Sequence, residues 1–406
     1  MKIKQCRNCN SISLSNLFSL GNLSYTGKFY QNGKTVKAGK ITIVICRHCK
    51  LVQLNENFNL NYLYNKDYGY RSGVNKTMKD HLKNTVKKIE NIISLKQKDA
   101  VLDIASNDGT LLNSYKNKKI VKVGVDPILK KYNKNYRNVD VKISNFFDLK
   151  KINNRIFKKK FKVITALSVF YDLENPNKFL GDVVKILDKD GIFILEFADL
   201  GSIIKNNIFD TICHEHLEYY SVDVVKKMLK KHGLRIFNYE INQVNGGSSV
   251  FYICYEHNKS RSQFRKIDKI LAEESKLKLD KVQTYKNFYR NIKILGKKTR
   301  IELNSILKQN KTIHGYGAST KGNVLLQFYK LNKHFDFISD RNPQKFGLRT
   351  PGTNIKIISE KKSRELEPDY YFALPWHFKK EILKREKAIR KKGTKFIFPL
   401  PKFKII

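Results

Sequence analysis

Four cysteines stand as two close pairs near the start of the chain, Cys6 with Cys9 and Cys46 with Cys49. Two intervening residues let both thiolates of a pair turn toward one ion, and four sulfurs in a tetrahedron suit zinc. A closed shell leaves no position open for catalysis, so the expectation is a structural zinc site. Disulfides or two redox pairs are the alternative, and they need an oxidising compartment. A second chemical cluster lies at Asp210–Tyr220, where His214 and His216 flank Glu215. Their i,i+2 spacing is not the i,i+4 spacing that puts two zinc ligands on one helical face. On a strand or loop the two imidazoles can still face together, so a metal site stays open, as does a structural histidine. A general base is the third reading, because imidazole titrates near neutral pH and the adjacent carboxylate can orient it or bind substrate.

A third cluster runs through Val101-Leu102-Asp103-Ile104-Ala105-Ser106-Asn107-Asp108-Gly109. An apolar run passes into small residues, which lets a ligand approach backbone amides at the carboxyl end of a strand. Asp126-Pro127 closes the next apolar run about twenty residues on, and an acid there can accept from both ribose hydroxyls. The turn is not G-x-G-x-x-G, and Asp103 and Asp108 repel a pyrophosphate. S-adenosylmethionine, a cation, therefore fits better than NAD; an ordinary turn with acids facing water is the bland alternative. Asn145-Phe146-Phe147 follows the third strand, where an aromatic ring either stacks on adenine or packs in the core. Ser168, directly after the strand at 163–167, is counted with the cofactor residues. In the last third, Gly315-Tyr316-Gly317-Ala318-Ser319-Thr320-Lys321-Gly322 leads into a helix, a setting that favours phosphate. G-x-x-x-x-G-K-[ST] is absent, so ATP hydrolysis is not expected. Asp340 ends the following strand and can meet a ribose. Trp376 and His377 read as packing and helix-start residues.

These residues need a scaffold. Apolar spacing predicts a helix over 77–95, then strands at 101–104, 121–125, 141–143, 163–167 and 192–197 with helices between them, for example 177–187. Continuous apolar strands alternating with helices imply a parallel sheet covered on both faces. Segments 234–241 and 250–255 flank Asn245-Gly246-Gly247 and read as a hairpin edge. Residues 261–300 read as a connecting helix. A second alternating unit begins at Thr312, with strands at 335–339, 370–374 and 395–398. The expected division is a zinc-binding module over 1–75, an α/β domain over 76–258 and a C-terminal α/β domain over 259–406.

Composition narrows the function class. Hydrophobic residues make up 41% of the 406, enough for real interiors. No apolar run reaches membrane-spanning length, and the first residues lack a signal peptide, so a cytoplasmic, reducing location is expected. The net charge is +44, from 80 Lys and Arg against 36 Asp and Glu. The lysines are spread along every segment, which argues against nucleic acid as partner and leaves a field that favours an anionic substrate. A monomer or weak dimer is expected.

Taken in order, several stretches resemble one family. They are the two cysteine pairs, Tyr68-Gly69-Tyr70-Arg71-Ser72, the Asp103 turn, Phe209-Asp210-Thr211-Ile212-Cys213-His214-Glu215-His216, Val244-Asn245-Gly246-Gly247-Ser248, the Gly315 loop with Asn323, and Asp340-Arg341-Asn342-Pro343 onward. The series is similar to the S-adenosylmethionine-dependent sugar C-methyltransferases, which act on nucleotide-linked 4-keto-deoxysugars. The resemblance implies a class I methyltransferase sheet between a zinc-binding module and a Rossmann-like C-terminal domain. It implies S-adenosylmethionine and structural zinc as cofactors and a nucleotide-diphosphate sugar as partner. It implies His216 as base, Glu215 as its support or as a sugar contact, and Tyr70, Ser72, Cys213, Gly317, Lys321, Asn323, Asp340 and Arg341 as substrate contacts. The chain departs from the family at Cys213, where relatives carry tyrosine, and at Asp172, where many carry histidine. Methylation of a sugar oxygen or of another metabolite, and a zinc-containing nucleic-acid binder, are the alternatives.

Overall fold

The computed structural model describes residues 1–64, 68–150, 160–262 and 266–406. The N-terminal sheet is antiparallel, in the order β1 (Leu14–Ser24), β2 (Ala38–Cys46), β3 (Val52–Leu54) and a short strand from far along the chain, β9 (Glu218–Tyr219). The last pairing joins Val52 to Tyr219 and Gln53 to Glu218. Only β2 was legible in part, as the run 41–45. β1 carries two register shifts against β2, and β9 is too short to leave a periodic signal.

The central sheet begins after α1 (Leu60–Leu63) and α2 (Lys76–Ile92). Helix α2 buries Met78, Leu82, Val86 and Ile89 along one stripe. Its strands are β4 (Ala100–Ile104), β5 (Val121–Val125), β6 (Val141–Ile143), β7 (Phe161–Leu167), β8 (Leu187–Ala198), β10 (Leu234–Asn242) and β11 (Ser248–Tyr255). Their order is β10-β11-β8-β7-β4-β5-β6. Every neighbouring pair is parallel except those made by β11, which runs antiparallel to both β8 and β10. All five residues of β4 are buried, as a strand with helices on both faces requires. Strand β4 lies between β5 and β7, so the sheet order reverses there and a crevice opens at the carboxyl ends. Helix α3 (Pro176–Ile186) has proline in its first turn, and the Asn175 side chain caps it by accepting from Lys178 N. Two further helices, α4 (Leu200–Lys205) and α5 (Val222–Lys231), start at Asp199 and Ser221, which cap them in the same way.

Two expectations need correction. The stretch 261–300 is not one helix but α6 (Ile267–Ser275) and the longer α7 (Val282–Lys308). Between them Lys278 adopts φ +51°, which no helix continues through. Glu274 turns its carboxylate back onto Val222 N and Asp223 N, at 2.7 and 3.0 Å, covering the start of α5. Helix α7 packs closely at Gly296, where an added Cβ would stand 2.6 Å from the Tyr329 ring. The strand expected at 335–339 starts later. The C-terminal sheet contains β12 (Ile313–Tyr316), β13 (Ile338–Asp340), β14 (Ile357–Ser359), β15 (Tyr370–Ala373), β16 (Lys395–Phe398) and β17 (Lys404–Ile405). Gly315 pairs with Ile338, so β13 can begin only there. The order is β14-β13-β12-β15-β16-β17, parallel apart from β17. Helix α8 (Thr320–Phe328) follows β12 and is capped by Ser319. One continuous apolar core, including Ile43, Phe197, Tyr285 and Phe372, joins the three sheets.

Candidate active site

Each cysteine pair sits in a tight knuckle. Asn10 N donates to the Cys6 carbonyl and Lys50 N to the Cys46 carbonyl, with φ +59° and +63° at Asn10 and Lys50. The four sulfurs all lie within 4.8 Å of one another, and the Cys6–Cys49 and Cys9–Cys46 pairs are 3.5 Å apart. Donors already point at them: Asn8 N and Gln53 Nε2 to Cys6 Sγ, and Cys49 N to Cys46 Sγ. From this knuckle Arg7 reaches inward. Its Nη1 donates to the Leu54 and Leu217 carbonyls, and its Nε lies 3.5 Å from the buried Glu218 carboxylate.

At the carboxyl ends of β4, β5 and β7 is a cavity of about 390 Å³. Ala105, Asn107, Asp126, Pro127, Asn145, Phe146, Phe147 and Ser168 line it. Ala105, Asn107 and Ser168 all have left-handed backbone, at φ +59°, +50° and +58°, a concentration of strain typical of binding turns. Both oxygens of Asp126 accept backbone N–H groups, from Asn107 at 2.9 Å and from Ile128 at 2.8 Å. Burial nevertheless raises its carboxyl to about 6. Asp103, Ser106, Asp108 and Gly109 do not line the cavity. Asp103 is buried, accepts from Thr165 Oγ1 at 2.6 Å, and is raised to about 7 by burial. Ser106 Oγ bonds the Tyr136 hydroxyl at 2.8 Å, and Gly109 packs on the same ring. The Asp108 carboxylate holds Arg71 Nε at 2.9 Å and Gly73 N at 3.0 Å, tying the segment before α2 onto the turn. Residues that sequence reasoning missed include Tyr64, Tyr68, His81 and Glu196. Glu196 is buried and bonds His81 Nε2 at 2.8 Å; an acid interrupting the apolar run 192–197 was its one visible signal.

A second cavity, of about 270 Å³, opens toward the C-terminal sheet. It shares Tyr64, Tyr68, Tyr70, Met78, Ser168 and Asp172 with the first. Of the expected substrate residues, Tyr70, Gly317, Lys321, Asp340 and Arg341 line it, together with both expected catalytic residues, Glu215 and His216. Ser72 lines the first cavity instead. Cys213 is fully buried and lines neither. Asn323, also fully buried, donates to the Thr26 carbonyl at 2.7 Å and so fastens α8 to the N-terminal segment.

The orientation of His216 is set by its backbone surroundings. Nδ1 lies 2.6 Å from the Thr211 carbonyl, which can only accept, so Nδ1 carries the proton. Nε2 is then proton-free, and it has no protein partner among the described residues. Burial, and secondarily the Lys321 ammonium, lower the imidazole to about 3, which keeps it neutral. The Tyr171 ring stands 4.3 Å from it, centroid to centroid. Neither Glu215 oxygen has a hydrogen-bond partner among the described residues, and burial raises the carboxyl. Gly27 makes room for it: a Cβ there would lie 2.6 Å from Glu215 Oε1. His214 faces elsewhere, with Nε2 3.2 Å from the Gly39 carbonyl and its ring against Tyr25 and Phe58. The two histidines therefore do not share a ligand.

A parallel sheet in this strand order, with one antiparallel strand and a cavity at its switch point, defines a class I methyltransferase fold. Residues 70–238 match the methyltransferase domain family, and residues 243–401 match the C-methyltransferase C-terminal domain family. The chain joins these two domains and is an S-adenosylmethionine-dependent C-methyltransferase. It is 28% identical over 373 residues to C-methyltransferase NovU of Streptomyces niveus, an alignment covering 90% of this chain and 87% of that one. Among solved structures, it resembles magnesium protoporphyrin IX methyltransferase of Synechocystis with bound SAH (16% identity, TM-score 0.34, 46% of this chain and 90% of that one). It also resembles the PH0226 protein of Pyrococcus horikoshii (16% identity, TM-score 0.37, 49% of this chain and all of that one). Among the described residues no helix is long and apolar enough to cross a membrane.

Proposed function

We propose that the enzyme methylates a carbon atom of a nucleotide-linked keto-sugar, with His216 removing the proton from the carbon beside the ketone. The observation that carries this reading is the proton-free Nε2 of His216, on the wall of a cavity that adjoins the cofactor cavity. S-adenosylmethionine, when bound, supplies an electrophilic methyl group. Asp126 is placed to accept from its ribose hydroxyls and Phe146 and Phe147 to flank its adenine. The Glu196 carboxylate, bonded by His81, and Asp126 suit a ligand that is cationic rather than anionic. The sugar nucleotide lies in the second cavity. Lys321, Arg341, Lys345 and Arg385 line it and answer a diphosphate, and the capped start of α8 adds backbone donors. His216 takes the proton, charge moves onto the ketone oxygen, and the resulting carbanion forms the new C–C bond. Enclosure between the central and C-terminal sheets keeps water from competing.

Labelled S-adenosylmethionine incubated with nucleoside-diphosphate 4-keto-6-deoxyhexoses should leave label on a ring carbon, stable to acid. A transferred methyl whose ¹³C resonance is that of an O–CH₃ rather than a C–CH₃ group would make oxygen the acceptor and overturn the reading. Asp126→Ala should weaken S-adenosylmethionine binding about 10- to 100-fold, the loss of two hydrogen bonds to a charged acceptor, measured by calorimetry.

A pH profile tests the base. The lowered imidazole stays neutral until pH falls to about 3, so with S-adenosylmethionine saturating, kcat/KM for the sugar should show no histidine inflection near pH 6.5. An inflection near 6.5 that disappears in His216→Gln would contradict the buried, neutral state.

The four cysteines are assigned to zinc. Zinc–sulfur bonds of about 2.3 Å place tetrahedral sulfurs about 3.8 Å apart, close to the spacing of this cluster, and the N–H donors around Cys6 and Cys46 suit thiolates.

A further inference from the structure

We infer that Asp172 is a second catalytic group, whose carboxyl donates a hydrogen bond to the ketone oxygen of the substrate as His216 removes the neighbouring proton. The inference rests on the keto-sugar reading of the second cavity and adds to it the group that stabilises the developing oxyanion. Asp172 is among the few residues that line both cavities, so it stands where the methyl donor and its acceptor must meet. It is nine-tenths buried. One oxygen, Oδ2, accepts from the Tyr64 hydroxyl at 2.7 Å, while Oδ1 is buried with no partner among the described residues. The anchored oxygen orients the group, and the other end lacks a hydrogen bond that a ligand can complete. Its charged neighbour is another buried carboxyl, Glu215. Desolvation and that like charge hold Asp172 well above the usual carboxylate range, in its neutral form. A carboxylic acid kept neutral in an enclosed site is a donor, and donors aimed at an enolate oxygen act most strongly where water is excluded.

The step balances. The C–H electron pair becomes the enolate and the proton goes to His216 Nε2. Oxygen gains negative charge, and the Asp172 O–H bond stays intact while its hydrogen bond to that oxygen shortens. The enolate carbon then forms the bond to the methyl group, the sulfonium becomes a neutral thioether, and His216 later gives its proton to solvent.

The test separates enolisation from methyl transfer. Wild-type protein is incubated with a nucleoside-diphosphate 4-keto-6-deoxyhexose in deuterated water without methyl donor, and exchange at the carbon beside the ketone is followed by NMR. Asp172→Leu, which has no donor, should slow exchange about 10²- to 10³-fold. Asp172→Asn keeps an N–H donor and an acceptor for Tyr64, and should stay within about tenfold of wild type. Exchange at the wild-type rate in Asp172→Leu overturns the assignment. So does an Asp172→Asn protein that binds S-adenosylmethionine normally yet loses exchange, because the group would then act as an anion. If Asp172→Leu does not fold, Asp172→Asn alone decides: retained exchange supports the donor, and lost exchange overturns it. Wild-type protein that exchanges no proton in any such sugar overturns the keto-sugar reading itself, and this assignment falls with it.

Discussion

Replacing His216 with glutamine should lower turnover about 10²- to 10⁴-fold, the usual contribution of a positioned general base, while S-adenosylmethionine binding stays close to wild type. His216 lines the second cavity and not the first, so the two effects separate. The Thr211 carbonyl holds the proton on Nδ1, and Nε2 alone can act as base. Glutamine keeps polarity and approximate size but has no basic nitrogen. The imidazole of the substrate-free protein is a weak base, partly because of Lys321. A bound diphosphate would offset that ammonium and restore basicity where the proton is to be taken, so binding and chemistry are coupled through Lys321. Deuterium exchange and methyl transfer should fall together in His216→Gln. Exchange that survives while transfer fails would remove His216 from the base role.

Stripping the cysteine cluster should have the second large effect. Apparent binding free energies of about 10–16 kcal/mol for structural zinc in small peptides show how much order such a site can support. Here the order extends to the loop that carries His216. Gln53 on β3 donates to Cys6 Sγ and pairs through its backbone with Glu218 on β9, two residues after His216. Arg7, between Cys6 and Cys9, reaches both the Leu217 carbonyl and Glu218. Cys46→Ser, or prolonged chelation, should therefore lower turnover far more than it lowers S-adenosylmethionine affinity. The measurements are metal content, expected at one zinc per chain, together with turnover and calorimetry on the same preparation. Metal-free protein with full turnover would uncouple the knuckles from the active site.

Much of this was legible before any coordinates. The strands at 121–125, 141–143 and 395–398 appear within the bounds that their apolar runs set. The Asp103 turn, Asp126 and Asn145 all sit after such runs, because a parallel sheet delivers its loops to one edge. What escaped notice has physical reasons. Strand β9 has two residues, too few for any period, and its partner lies more than 160 positions earlier in the chain. Tyr64, Tyr68 and His81 precede the sheet and fold back over it. A tyrosine or a histidine on an amphipathic helix gives no hint of which cavity it will close. Asp108 and Cys213 look like ligand contacts in sequence, yet one is spent on Arg71 and Gly73 and the other is sealed in the core.

By itself the chain's order of residues determined the alternation of strand and helix, the two thiol pairs and the small-residue turn after β4. Local spacing encodes those features, since periodicity, small residues and ligand pairs act over a few positions. Tertiary structure alone decided which nitrogen of His216 holds its proton, that His214 turns away to the Gly39 carbonyl, and that Asp172 stands between the two cavities with one oxygen unpartnered among the described residues. The Tyr64 hydroxyl on Asp172 and the Gly39 carbonyl on His214 come from distant segments, and even the Thr211 carbonyl, five residues before His216, meets Nδ1 only because the loop turns back on itself; no spacing along the chain records such meetings.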